Sequence, residues 1–466
     1  MSDVRDTTAE ANSFRNTDGE IWPSVIERAS TAIRAGDGDD LRDLVEDLHE
    51  ADVGSLLEAL QPDDRPRLIS LLGKDFDFTA LTEVDDTVRE EILEELSNDE
   101  VAEGVRDLDV DDAVYILEDL DHDDQAEILE KLPALERIAL QRSLDYPEES
   151  AGRRMQTDCI AVPPFWSVRQ TVDYIRDTPD LPDTFYEVFI VDPAHRLLGA
   201  VPLDKLMRAR WGDRIDTIAT EDHQRVHATD DQEGVALLMQ RYNLVSVPVV
   251  DDSERLVGVM MVDDIVDVLD EEADEDLKAL GGVKADEELS DSVWYTAKGR
   301  FPWLFANLLT ALISATVIDT FEASIQAMVA LAVLMPIVAS MGGNAGTQTM
   351  TVTVRAIATR QLGRTNAWRV IRREMTVGLM NGAGFALLLG TLAALWSGVP
   401  ALGLIIGLAL VIVLTAAAIG GILIPLFLHR LKIDPAVSSG PFVTTVTDVI
   451  GFFSFLGIAT LWLSRS

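Results

Sequence analysis

Cysteine occurs once in this chain, at Cys159, which excludes an intramolecular disulfide and any cysteine-based metal cluster within one copy. A lone cysteine reads most simply as a small buried hydrophobe. The first thirty residues hold no apolar core behind a basic end, so no secretory leader is expected and the large amino-terminal half is expected to stay in the cytosol. Kinase, cyclase and nucleic-acid motifs are missing as well, and no nucleic-acid partner is expected. Positive charge is scarce, with 38 Lys and Arg against 80 Asp and Glu, a formal net charge of −42. The deficit is confined to one part of the chain. Residues 1–300 carry 29 basic and 75 acidic side chains, whereas 301–466 carry 9 and 5, so an acidic soluble half precedes an apolar one. Most of these carboxylates read as a solvated surface suited to high salt, and only acids clustered at particular places can carry function.

What the second half has in abundance is long apolar runs. About 20 apolar residues span a bilayer as a helix, and five segments qualify: Pro302 to Asp319, Ala323 to Val354, Met375 to Leu395, Leu402 to Leu428 and Gly440 to Leu463. Arg355, Arg360, Arg364, Arg369, Arg372 and Arg373 link the second and third, and His429, Arg430 and Lys432 link the fourth and fifth. Basic links lie in the cytosol. With Asp319 and Glu322 outside, the expected topology has the amino end inside and the carboxyl end outside, in a multi-pass protein of the cell membrane. The second span is expected to break at Gly342, Gly343 and Gly346, with helix packing through those glycines as the other reading. Asn344, Gln348 and Thr351 share one helical face beyond them, continued by Arg355.

Asp448 is the only charged residue between Asp434 and Arg465. A carboxylate at membrane depth costs several kcal/mol unless it meets a polar cavity or partner, and it marks ion paths. None of the five spans contains an internal Lys or Arg to pair with it, and Thr444 and Gly451 share its face. Mg²⁺ sheds water reluctantly and uses one or two carboxylates. Two chains meeting at a symmetry axis would present two such carboxylates.

In the soluble half, Val188 to Gly199 is echoed by Val247 to Gly258 at a spacing of 59 residues, and Asp204 and Asp263 keep the register. Each copy reads as a strand, an Asp turn, a second strand and a helix. This arrangement resembles a tandem pair of CBS domains. Adenine-nucleotide-binding copies carry a Thr, then an Asp three residues on; here Pro202 and Met261 take the Thr places, and the first copy has Lys205 where the second has Asp264. That weakens the expectation of ATP binding without removing it. Residues 38–145 read as short amphipathic helices with recurring Leu pairs and Asp starts, able to stack as a superhelix. The opening 20 residues read as disordered. From Asp263 to Asp276, 9 of 14 residues are acidic, and a helix there puts Asp264, Asp267, Glu271 and Glu275 along one face. Such a face invites cations.

Met341-Gly-Gly-Asn-Ala-Gly-Thr-Gln348, Asp434-Pro-Ala-Val-Ser-Ser-Gly-Pro441, Thr447-Asp448-Val-Ile-Gly451 and Tyr146-Pro-Glu-Glu-Ser-Ala-Gly152 together resemble the MgtE family of magnesium channels. The resemblance implies a multidomain membrane protein. Its parts are an N-terminal disordered or amphipathic segment over 1–37, an all-α superhelical domain over 38–150 and α/β CBS domains over 151–217 and 218–265. An acidic connecting helix and linker over 266–300 and a five-helix transmembrane domain over 301–466 complete it. It further implies a homodimer with a pore at the subunit interface, Mg²⁺ held near Asp448, Asn344 in the glycine-rich motif and Asp434 near the cytosolic mouth. Regulatory Mg²⁺ is implied at Asp231, Glu233, Asp264, Asp267, Glu272 and Glu275, holding the pore shut when cytosolic Mg²⁺ is plentiful. Asn243 departs from a family acidic position, and no amino-terminal ligand is assigned. The rival functions are a coupled divalent-cation exchanger and, further off, an intramembrane aspartyl protease, for which a second intramembrane carboxylate is missing. No enzymatic activity is expected.

Overall fold

A computed structural model describes residues 14–16, 19–179, 181–182, 184–220, 223–285, 287, 292–363 and 366–465. The expected disorder of the opening segment falls largely outside these residues. Two compact units divide the chain at residues 270 and 271.

The first unit begins with the short helices read from the Leu pairs. Asp37 accepts a hydrogen bond from the Asp40 amide and Asp85 one from that of Thr87, and Ser97 with Glu100 forms a reciprocal capping box. Each cap is worth about 1 kcal/mol. Helices of eight to eleven residues are not stable alone, so burial must hold them. The pairs Leu56-Leu57 and Ile116-Leu117 are fully buried in one apolar cluster that runs to Leu140. Ala29, Ala32 and Ile33 of the helix Pro23–Ala35 join that cluster, so the packed core starts before residue 38.

Each CBS copy is a three-stranded sheet. Strands β1 (Ala161–Val162), β2 (Glu187–Val191) and β3 (Leu197–Pro202) pair in that order, and β4 (Val226–His227), β5 (Ser246–Val250) and β6 (Leu256–Met261) repeat it. The first pairing in each is parallel and the second antiparallel, with Val188 opposite Val201 and Val247 opposite Met260. The repeated aspartate makes the turn. Asp192 accepts from the amides of Ala194 and Arg196, and Asp251 does the same for Ser253 and Arg255. The two hairpins then bond to each other, Leu197 to Glu254 and Leu256 to His195. The entrance segment packs on the second copy: the amides of Ala151 and Gly152 donate to the carbonyls of Asp230 and Ala228.

The second unit holds five long apolar helices, Val293–Asp319, Ala330–Ala358, Ala367–Ser397, Pro400–Arg430 and Pro435–Leu463. The fourth is the hub against which the second, third and fifth pack. A short helix, Glu322–Ala327, precedes the second span and is tied to the fifth by a Ser324–Thr460 hydroxyl contact of 2.6 Å. The expected break in the second span does not occur. Its helix is continuous through the glycines, which serve close approach: a Cβ at Gly346 would lie 2.7 Å from Val443 Cγ1, and one at Gly342 would lie 2.7 Å from Val413 Cγ2. Packing, the other reading of those glycines, is the one realised.

Candidate ion path and acidic cluster

The fifth span starts at a cap. Asp434 accepts from the Ala436 amide at 2.7 Å, and Pro435 occupies the first turn, where its missing N–H costs nothing. Two turns on, the hydroxyls of Thr444 and Thr445 return to the carbonyls of Gly440 and Pro441. Thr447 is fully buried against Gly342 and Gly346. Asp448, one residue further round, is half-buried and makes no hydrogen bond or ion pair among the described residues. Of its expected face, Thr444 is exposed and Gly451 is buried against Val413.

On the second span the buried positions, Gly342, Gly346, Met350 and Thr353, occupy one side of the helix. Asn344, Gln348, Thr351 and Arg355 lie on the opposite side and are all exposed. The polar stripe therefore faces away from the bundle of its own chain. At the end of that stripe stands a residue that sequence reasoning did not single out. Burial raises the carboxyl pKa of Asp276, the neighbouring Asp434 raises it further, and Arg355 opposes both. One turn on from Asp276, Ala279 and Leu280 pack among Met350 and Val354 of the second span and Ala436 and Val443 of the fifth. The signal was an acid followed at three and four residues by apolar side chains.

The first unit carries the second site. Asp264 accepts from the Met261 amide at 3.2 Å, yet burial and the charges of Asp263, Asp112 and Asp267 push its pKa up to about 7. Asp112 is pushed up to about 6, by burial first and then by Asp109, Glu83, Asp77 and Asp263. Asp111 is pushed well above the carboxylate range by burial and by Asp264, and its Oδ1 is buried without a hydrogen-bond donor. Asp267 and Glu83 are raised too, each by burial first; Glu83 also feels Asp267, and Arg154 partly offsets the rise at Asp267. Asp111, Asp112 and Glu83, from the amino-terminal helices, thus share this group of raised carboxyls with Asp264 and Asp267. Among the described residues no three His, Cys, Asp or Glu side chains converge closely enough to hold a bare ion. A cation that keeps part of its water shell needs no such convergence.

The remaining expected ligands are distributed. Asp231 caps the helix Gln232–Tyr242, accepting from the Gly234 amide at 3.1 Å, and Glu233 lies in its first turn. Glu272 and Glu275 are half-buried on the continuous helix Val262–Gly281 that also carries Asp264 and Asp267. Asn243 closes the helix that Asp231 opens, at φ 52°. Asn tolerates this left-handed cap better than most side chains.

Comparison with known proteins gives consistent matches along the chain. A family described as divalent cation transporter, MgtE, matches residues 335–458; the MgtE intracellular N domain matches 48–149; and a CBS domain matches 215–271. The magnesium transporter MgtE of Thermus thermophilus is 32% identical over 453 residues, covering 93% of this chain and 97% of that one. The protein of the same name from Bacillus subtilis is 29% identical over 442 residues, covering 95% and 98%. A solved structure of the cytosolic domain of the Mg²⁺ channel MgtE in complex with ATP is 28% identical, covers 52% of this chain and 99% of that one, and superposes with a TM-score of 0.48.

Proposed function

The chain belongs to the MgtE family of magnesium transporters, and on that premise we propose that Asp448 and the polar face of the second span line a Mg²⁺ path between two copies, shut by Mg²⁺ bound to the acidic cytosolic region. Family members are transporters rather than enzymes, and this chain is a multi-pass membrane protein with a soluble amino-terminal part. The observation that carries the reading is the outward stripe of Asn344, Gln348, Thr351 and Arg355, together with a half-buried Asp448 that has no partner among the described residues of its own chain. Polar groups in a bilayer need polar company. A second copy related by a two-fold axis supplies it and doubles the carboxylate. Asp434 and Asp276 stand at the cytosolic mouth of this path, and the basic links between spans support an inside amino end and an outside carboxyl end.

Closure follows from the first unit. Burial first, and repulsion among neighbouring carboxylates second, raises the pKa values of Asp111, Asp112, Asp264 and Asp267, and a divalent ion offsets that cost. The half-burial of Asp111, Asp112 and Asp264 and the undonated Asp111 oxygen fit a cation site. Mg²⁺ therefore binds the compact arrangement more tightly than the spread one, which is the condition for a ligand to shift a conformational equilibrium. The same helix that bears Asp264 ends in Ala279 and Leu280, seated between the second and fifth spans. Glu272 and Glu275 lie between these points and extend the cation-binding face, and Asp231 with Glu233 contributes from the second CBS copy.

Mg²⁺ uptake into liposomes holding the full chain tests the path. Asp448→Ala is expected to fall to the level of empty liposomes, and undiminished uptake would remove Asp448 from the mechanism. Voltage-clamped current without a counter-ion separates a channel from an exchanger.

A further inference from the structure

Arginines of the acidic half are answered by carboxylates, Arg65 by Glu91 at 2.8 Å and Arg42 by Asp75 at 2.7 Å. Those at one end of the third and fourth spans are not. Arg369 and Arg372, in the helix Ala367–Ser397, and Arg430, the last residue of Pro400–Arg430, are exposed and make no side-chain hydrogen bond or ion pair among the described residues. Their place works against the helix that carries two of them. Arg369 repels Arg372 and Arg373 at three and four positions, and all three stand near the positive end of a helix with no acid in its first turn and no side-chain cap. Glu374 pairs with Arg373, at 3.6 Å, and leaves the other two unanswered. An anion seated there would relieve both.

The third span packs antiparallel on the fourth through glycines, Gly378 against Ala418 and Gly390 against Gly403. The second span closes one flank of this pair: Gly421 meets Thr349, and Arg373, Glu374 and Asn381 face a space shared with Gln348. At about 100° per residue, the other flank holds Trp368, Arg372, Met375 and Leu379 of the third span, spaced by four, three and four. It also holds Ile412, Ile419, Leu423 and Arg430 of the fourth, spaced by seven, four and seven. All are exposed except the half-buried Ile419, so no other span of the same chain covers this flank. Side chains lean toward the start of their helix, which brings Arg372 and Arg430 toward each other because one helix starts where the other ends. Two arginines and an indole thus stand at the head of an apolar strip, the pattern that suits a phosphate headgroup and an acyl chain. We propose that this flank seats one anionic phospholipid of the leaflet that the basic links face, with its phosphate between Arg372 and Arg430 beside Trp368 and a chain along Met375, Leu379 and Leu423. A second copy of the chain is a poorer occupant, since its own basic links would meet these arginines.

Native mass spectrometry of the full chain reads single lipid-binding events without reference to Mg²⁺ transport or to Asp448. With phosphatidylglycerol and phosphatidylcholine of matched acyl chains, the first phosphatidylglycerol is expected to bind about tenfold or more tightly. An arginine beside a headgroup contributes a factor of about five, so Arg372→Gln and Arg430→Gln each weaken phosphatidylglycerol about fivefold and leave phosphatidylcholine unchanged. Arg372→Lys keeps the charge and most of the preference. Arg373→Gln removes the same charge from the flank facing the second span and changes the affinity less than about twofold, which separates a built seat from general surface charge. Equal affinity for the two lipids in the parent, equal losses in all three Gln variants, displacement by inorganic phosphate, or density for a helix of a second copy on this flank in phosphatidylglycerol nanodiscs overturns the proposal.

Discussion

Asp264→Asn isolates the electrostatic part of closure. The asparagine keeps an acceptor for the Met261 amide and removes one charge from a buried group of acids. The carboxyl of Asp264 moves from the ordinary 3.8 to about 7. At about 1.4 kcal/mol per pKa unit, holding it ionised at pH 8 costs the compact arrangement on the order of 4 kcal/mol, a ceiling because its neighbours share the charge. Relieving that cost should tighten the metal-free protein and make Mg²⁺ less necessary. Hydrogen exchange of the full chain in lipid nanodiscs reads both effects through the amides of Val110–Glu118, the helix bearing Asp111 and Asp112. In chelator at pH 8 the variant is expected to gain about one to three orders of magnitude in protection, and the further gain on adding Mg²⁺ should shrink. Unchanged protection without metal, or an undiminished Mg²⁺ response, would refute the account of the acids as a repulsive cluster that the ion neutralises.

The pH dependence has a definite sign. The folded-state pKa values of Asp112 and Asp264, about 6 and about 7, lie above the ordinary 3.8, so protonation stabilises the compact form fully below about 4, and this is lost as pH rises through 6 and 7. Mg²⁺ binding should release protons and be tighter at pH 8 than at pH 6 by calorimetry in buffers of different ionisation heat. Arg89 is buried between Asp119 and Asp86 and stacks on Tyr115, so Arg89→Ala strands a buried carboxylate and should cost about 3 to 5 kcal/mol in thermal unfolding. Gly346→Val must displace Val443 and Thr447, beside Asp448, and should cost about 1 to 3 kcal/mol and lower Mg²⁺ uptake, whereas wild-type uptake would show that the close approach is dispensable.

What could be read from the residues was local or periodic. The 59-residue echo specified two sheets of identical register because each Asp turn depends only on the next four residues. The five spans and the isolation of Asp448 are likewise properties of composition over short windows. Contacts between distant segments were illegible. Asp111 and Asp264 are 153 positions apart, and nothing local to either acid tells that they meet. The glycines of the second span suit a broken helix or a close crossing equally; Val413 and Val443, far along the chain, decide for the crossing. Asp276 was hidden inside the acidic run, on a face different from the one holding Asp264, Asp267, Glu271 and Glu275.

The unbroken helix Val262–Gly281 has a mechanical meaning. Twenty residues at about 1.5 Å each make a rod about 30 Å long, with neither Pro nor Gly before its last position to bend it. A tilt of about 10° about the end near Asp264 carries the end near Ala279 through about 5 Å, roughly one helical pitch. In the closure proposed above, ion binding need only turn the rod slightly, because its stiffness supplies the stroke. A proline placed at its middle should leave Asp264 and Asp267 in place and yet disconnect them from the tip.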